Sequence, residues 1–211
     1  MSTPHTVRAR RAVGVALLVA ATAGGCGLVP TTSDDQPQAT FAAPTSEAPE
    51  EFTPLTEPPR DSREVRVGGY RLFSPSEFQQ TDRQGPEGVS MVVLGKPANR
   101  SGGVCEVVAF VETDPESSAE EQMYGLAGAK EIAGATDITR ESLEWPGAES
   151  AVLVRWTERT SGPQGEITQR FAQLAVQPSS RTIVSVIAVA PEDEFDDSGV
   201  VEVLRTLSVE A

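Results

Sequence analysis

Residues 63–211 predict an α+β fold, a twisted antiparallel sheet with helices packed against it. Short apolar runs follow one another across turns rich in glycine, proline and serine, and turns of that length join antiparallel neighbours. Only two segments, one in mid-chain and one at the end, carry apolar residues at helical spacing. Strands, one helix, more strands and a last helix do not fit a doubly wound fold, which alternates strands with helices.

The elements follow in order. Glu64–Val67 and Tyr70–Phe73 flank Gly68-Gly69, a hairpin signal, because two adjacent glycines supply the positive φ angles of a tight turn. Val89–Leu94 and Val104–Val111 are apolar runs separated by a glycine-rich loop, and they predict central strands. Ser117-Ser118 before Glu120-Glu121 places a hydroxyl and a carboxylate three residues apart, as a capping box needs, so a helix is expected over 118–131. Ile138–Trp145, Ala151–Thr160, Ile167–Val176 and Thr182–Ala190 are four further strands, punctuated by Pro146-Gly147, by residues 161–165 and by Pro178-Ser-Ser. Val200, Val203, Leu204 and Leu207 form an apolar helical stripe, with Asp196-Asp197-Ser198 expected to cap it and to favour its N-terminal dipole.

Ahead of the domain the composition changes. Residues 27–62 hold seven prolines, six threonines and many acids, with few apolar side chains, so they cannot bury a core. Residues 26–62 are therefore expected to be a tether, reaching roughly 30 Å as a coil or about 100 Å if polyproline-like. Thr31, Thr32, Thr45 and Thr53 are compatible with glycosylation but do not require it.

Residues 1–25 have the three parts of a secretory signal: a basic start (Arg8, Arg10, Arg11), the apolar run Ala12–Ala23, and Gly24-Gly25 before Cys26. The apolar run falls well short of the roughly 20 residues that a spanning helix needs. Arg10-Arg11 lacks the bulky apolar pair of a twin-arginine signal, which favours general export. Ala23-Gly24-Gly25-Cys26 resembles a bacterial lipobox, with alanine in place of the more usual leucine. The resemblance implies lipid attachment at Cys26 and a cell-membrane lipoprotein held on the extracytoplasmic face. Each buried methylene of the acyl chains contributes about 0.8 kcal/mol, so two chains anchor firmly where one is marginal.

The full chain carries a net charge of −14. Without the three leader arginines, 31 acids face 14 basic residues, a net −17. No window after the leader clusters Lys and Arg, which excludes the counterion-releasing patch that nucleic acid binding needs. The same charge opposes flat contact with an anionic bilayer, so attachment falls to the lipid.

The catalytic inventory is short. The single histidine is His5, inside the leader, which removes histidine-activated nucleophiles and histidine-ligated zinc from the processed chain. Phosphate-cradling glycine motifs are absent as well. Cys105 shares a strand face with Val107, Ala109 and Val111, which predicts a buried thiol. The acidic run Glu192–Asp197 fails the EF-hand spacing and reads as a solvated helix entry. Trp145 and Trp156 are potential groove residues, yet Trp156 shares its face with Val152 and Val154, which predicts core packing. No catalytic residue, cofactor or metal ligand is assigned.

The order of elements, Phe73-Ser-Pro-Ser-Glu-Phe78 after the first hairpin, Pro146-Gly147-Ala148 before a long strand and the ending Val203-Leu-Arg-Thr-Leu-Ser-Val209 resemble the PsbP-like, LpqN/LpqT-type lipoproteins of actinobacteria over about residues 64–209. The resemblance implies a PsbP-like α/β/α sandwich and a non-enzymatic envelope lipoprotein, and it carries no functional residue over. The expected function is a binding or scaffolding module for envelope proteins or an apolar ligand. The alternative is a carboxylate-dependent hydrolase acting on cell-wall glycans, although the sequence fixes no two carboxylates near each other.

Overall fold

The computed structural model describes residues 52–85, 89–98, 103–162 and 165–209. Cys26, the leader and most of the expected tether, including Thr31, Thr32 and Thr45, lie outside the described residues. The described chain is a sheet-dominated α+β domain. Its strands are β1 (Ser62–Val67), β2 (Tyr70–Pro75), β3 (Gln79–Gln84), β4 (Ser90–Pro97), β5 (Val104–Thr113), β6 (Thr136–Leu143), β7 (Ser150–Gly162), β8 (Gly165–Ser179) and β9 (Thr182–Pro191). Its helices are α1 (Ala119–Ile132) and α2 (Val200–Arg205).

β1 and β2 form a separate hairpin, closed by Gly68 at φ 55° and Gly69 at φ 95°. Those two left-handed residues match the twist of the flanking strands, as the paired glycines predict. The other strands make one sheet in the order β3-β4-β5-β9-β8-β7-β6, with every pair antiparallel.

Strand alternation gives this sheet two faces. On one face, Cys105, Val107, Ala109, Leu153, Leu174 and Val186 pack with the hairpin and with Val200, Val203 and Leu204 of α2. On the other, Val152, Val154, Trp156, Ala175 and Ile183 pack with Ala119 and Met123 of α1. The helices thus lie on opposite faces.

α1 begins as its residues dictate. Ser118 caps it, its hydroxyl accepting from the Glu121 amide at 3.2 Å, while the Glu121 carboxylate accepts from the Ser118 amide at 2.9 Å.

Four features depart from expectation. β3 carries no strand pattern: Gln-Gln-Thr-Asp-Arg-Gln holds no apolar residue, and it becomes a strand by pairing along β4 at the sheet edge. The sixth strand runs 136–143 rather than 138–145, which leaves Trp145 beyond it in the following turn. α2 is capped by Gly199 at φ 82° with no side-chain cap bond, and Ser198 stands one position earlier, accepting from the Val200 amide at 3.3 Å. The segment 52–61, placed in the tether by its prolines, packs on the domain. Phe52 is buried and stacks on Trp145 at 6.3 Å, the Leu55 amide donates to the Arg205 carbonyl at 2.8 Å, and Arg205 Nε donates to the Thr53 carbonyl at 2.9 Å.

Candidate binding face

The two sheet faces are covered unequally. α1 packs mainly on β6, β7 and β8, and its core takes in Ile183 at the near end of β9. The hairpin and α2 pack against β4, β5 and β9 on the opposite face. α1 reaches only their near end, where Ile183 of β9 joins its core and Glu112 of β5 accepts from Gln122; past that end, no described helix packs on this side of β4, β5 and β9.

Register fixes which side chains meet on that uncovered area. Met91 stands beside Phe110, Val108 lies between Val93 and Ile187, Glu106 lies between Gly95 and Val189, and Val104 faces Pro97. Val93 is buried, whereas Met91, Val108, Phe110, Ile187 and Val189 are only half-buried, and Val104 is 50% exposed. In most strands that face one core, the second side is polar. Here the second side of β5 and β9 is largely apolar, broken by Glu106, Glu112 and Ser185, and it is covered only in part.

The margins of the face are polar. Glu106 sits within it, half-buried, with no hydrogen bond or ion pair among the described residues. Glu112, farther along β5, accepts from Gln122 Nε2 of α1 at 2.9 Å. Exposed Arg83 stands on the outer strand beside Met91.

The boundary with α1 is built from an aromatic stack. Trp156 and Phe171 lie 5.0 Å apart and nearly parallel at 4°. Lys130 Nζ is 4.8 Å from the Trp156 ring centroid and 2.7 Å from Glu158 Oε1, which also accepts from Trp156 Nε1 at 2.8 Å. Phe171 stands beside Val189 at the start of the open area.

A second depression, of about 440 Å³, lies between α1 and β6. Its lining includes Tyr124, Gly128, Glu131, Asp137, Ile138 and Arg140, with the Arg140 guanidinium 5.4 Å over the Tyr124 ring. It is shallower in apolar character than the sheet face, since three of these six side chains are charged.

The other residues singled out from sequence separate cleanly. Cys105 is fully buried beside Lys96 in register, on the face turned to α2. Burial pushes its thiol above the ordinary range, the Glu194 carboxylate adds to this, the Lys96 ammonium opposes it and Glu77 adds a little more. Trp145 is buried and donates from Nε1 to the Leu207 carbonyl at 3.1 Å, and Trp156 is buried under α1, so both are core residues. In the acidic run, Glu194 and Phe195 turn inward, while Asp196 is exposed and pairs with Arg170 at 3.2 Å. No group of three or more metal-ligating side chains occurs among the described residues.

The open face itself escaped the sequence. Apolar residues on both sides of Val104–Val111 signal a central strand, and they do not say whether the second side is covered by the same chain. Comparison with known protein families and with curated proteins finds no match.

Proposed function

We propose that this protein is a lipid-anchored, extracytoplasmic binding module, attached through Cys26 and engaging envelope partners through the open face of β4, β5 and β9. The observation that carries the reading is the uncovered apolar surface around Val108, Phe110, Ile187 and Val189, next to a helix that covers only the other half of the same sheet. A surface of this kind marks an interaction site more often than a loss of packing. The lipobox-like Ala23-Gly24-Gly25-Cys26 supports attachment, and a processed chain without histidine supports a non-enzymatic role. The PsbP-like, LpqN/LpqT-type sandwich is the fold assignment we favour, supported by helices on opposite faces of an antiparallel sheet.

A photo-crosslinking side chain at position 108 of the anchored chain tests the binding role in intact cells. A discrete adduct is expected, lost on Ile187→Asp and absent when the same side chain replaces exposed Glu149. Equal labelling from both positions overturns the binding face. Cys26→Ser should release the chain from membranes on alkaline extraction, and full retention overturns the anchor.

A further inference from the structure

We infer that the open face takes an amphipathic helix of a partner protein, which lies beside α1 and sets a lysine or arginine against Glu106; this rests on the binding role proposed above. The dimensions fit one helix. Strands stand about 4.8 Å apart, so β4, β5 and β9 span roughly 14 Å, close to the 10–12 Å of a helix with its side chains. α1 already covers a strip of the same width over β6, β7 and β8. A second helix beside it completes the layer on that side of the sheet.

The face is open rather than enclosed, which disfavours a small apolar ligand, since such ligands need concave sites that bury most of their surface. Charge selects the helix. Glu106 lies half-buried between Gly95 and Val189, flanked along the strand by Val104 and Val108, and no cation among the described residues answers it. A neutral apolar helix would bury that carboxylate without a partner, whereas a cationic side chain supplies one. The net charge of −17 on the processed chain draws the same class of partner from a distance.

The test uses the full chain carrying Cys26→Ser and three synthetic helical peptides that share one leucine-alanine stripe and differ in flanking residues: lysine, glutamine or glutamate. The lysine peptide should bind about tenfold tighter than the glutamine peptide, and the glutamate peptide weakest, the scale of a charge-assisted contact. Glu106→Gln should erase the lysine advantage, Glu106→Lys should reverse the order, and Ile187→Asp should abolish binding of all three. The cationic assignment is overturned if lysine and glutamine peptides bind alike, or if Glu106→Gln leaves the difference intact. Failure of all three peptides, unchanged by Ile187→Asp, instead removes the binding face itself. A dimer in sedimentation that Ile187→Asp dissociates assigns the face to a second copy and overturns a partner helix. Binding that appears only after residues ahead of 50 are removed by protease assigns it to the chain's own leader or tether.

Discussion

Phe171 lies flat against Trp156, with ring centroids 5.0 Å apart, at the line where the covered half of the sheet meets the open half. Lys130 closes the stack from α1, 4.8 Å from the Trp156 ring and 5.8 Å from that of Phe171. The helix edge is thereby finished with an ion pair and aromatic faces rather than with further apolar side chains. Beyond Ile183, which belongs to the α1 core, the face of β5 and β9 is a separate surface.

Lys130→Met should keep the aliphatic stem over the rings and lose only the charge, at about 1 kcal/mol for a partly desolvated cation–π and ion-pair contact. Phe171→Ala should cost about 2–3 kcal/mol, below the value for a fully buried ring. Urea unfolding followed by tryptophan fluorescence reads both. Equal losses from the two changes would contradict the stacking role assigned to the ring.

The start of α1 should be sensitive to acid. Ser118→Ala should cost about 1 kcal/mol by removing a side-chain cap. The Ser118 amide, and then its hydroxyl, hold the Glu121 carboxyl below its ordinary value of 4.5. A folded value depressed below the unfolded one gives stability that is present above pH 4.5 and lost as the pH falls through the folded value. Glu121→Ala should therefore flatten that part of the stability profile, checked by thermal melts between about pH 3 and 6. An unchanged acid slope would remove Glu121 from the cap.

Gly68 should tolerate no side chain. A Cβ there would meet Val111 Cγ2 at 2.6 Å, and its φ of 55° already disfavours an L residue. Gly69, at φ 95°, has open space around the same position. Gly69→Ala should cost about 1–2 kcal/mol for backbone alone, and Gly68→Ala distinctly more. In a double-mutant cycle, Val111→Ala should recover part of the excess at position 68, since its Cβ would still stand 3.0 Å away, and leave position 69 unaffected. Equal costs at the two glycines would contradict the close approach of the hairpin to β5.

Cys105 should be inert while the domain is folded. In the Cys26→Ser chain it is the only thiol, so a disulfide exchange reagent reports on it alone. Complete burial and a raised thiol should confine reaction to opened molecules, with stoichiometric labelling in denaturant. Rapid labelling without denaturant would place Cys105 at the surface.

What the residues reveal in advance depends on how local the cause is. Ser118 with Glu121 and Gly68 with Gly69 specify a cap and a turn through their nearest neighbours, and both are where the sequence puts them. β3 depends on β4: its six polar residues acquire strand geometry only from the partner's ladder, a tertiary cause that periodicity does not carry. Phe52 is one of few apolar residues among prolines and acids, and its stacking partner, Trp145, is far along the chain. The open face is hidden for a related reason. Val108 and Phe110 have the same pattern whether their second side meets a helix of this chain, a partner or solvent, and Glu106, two residues before Val108 on the same face, is the one residue that distinguishes these outcomes.

Amide chemical-shift mapping of the full chain with Cys26→Ser, titrated with the lysine-flanked peptide, locates the binding surface residue by residue. Perturbations should centre on Val108, Phe110, Ile187 and Val189, with Glu106 among them. Perturbations centred instead on Tyr124, Gly128 and Ile138, at the depression between α1 and β6, would contradict the assignment of the open sheet face as the binding site.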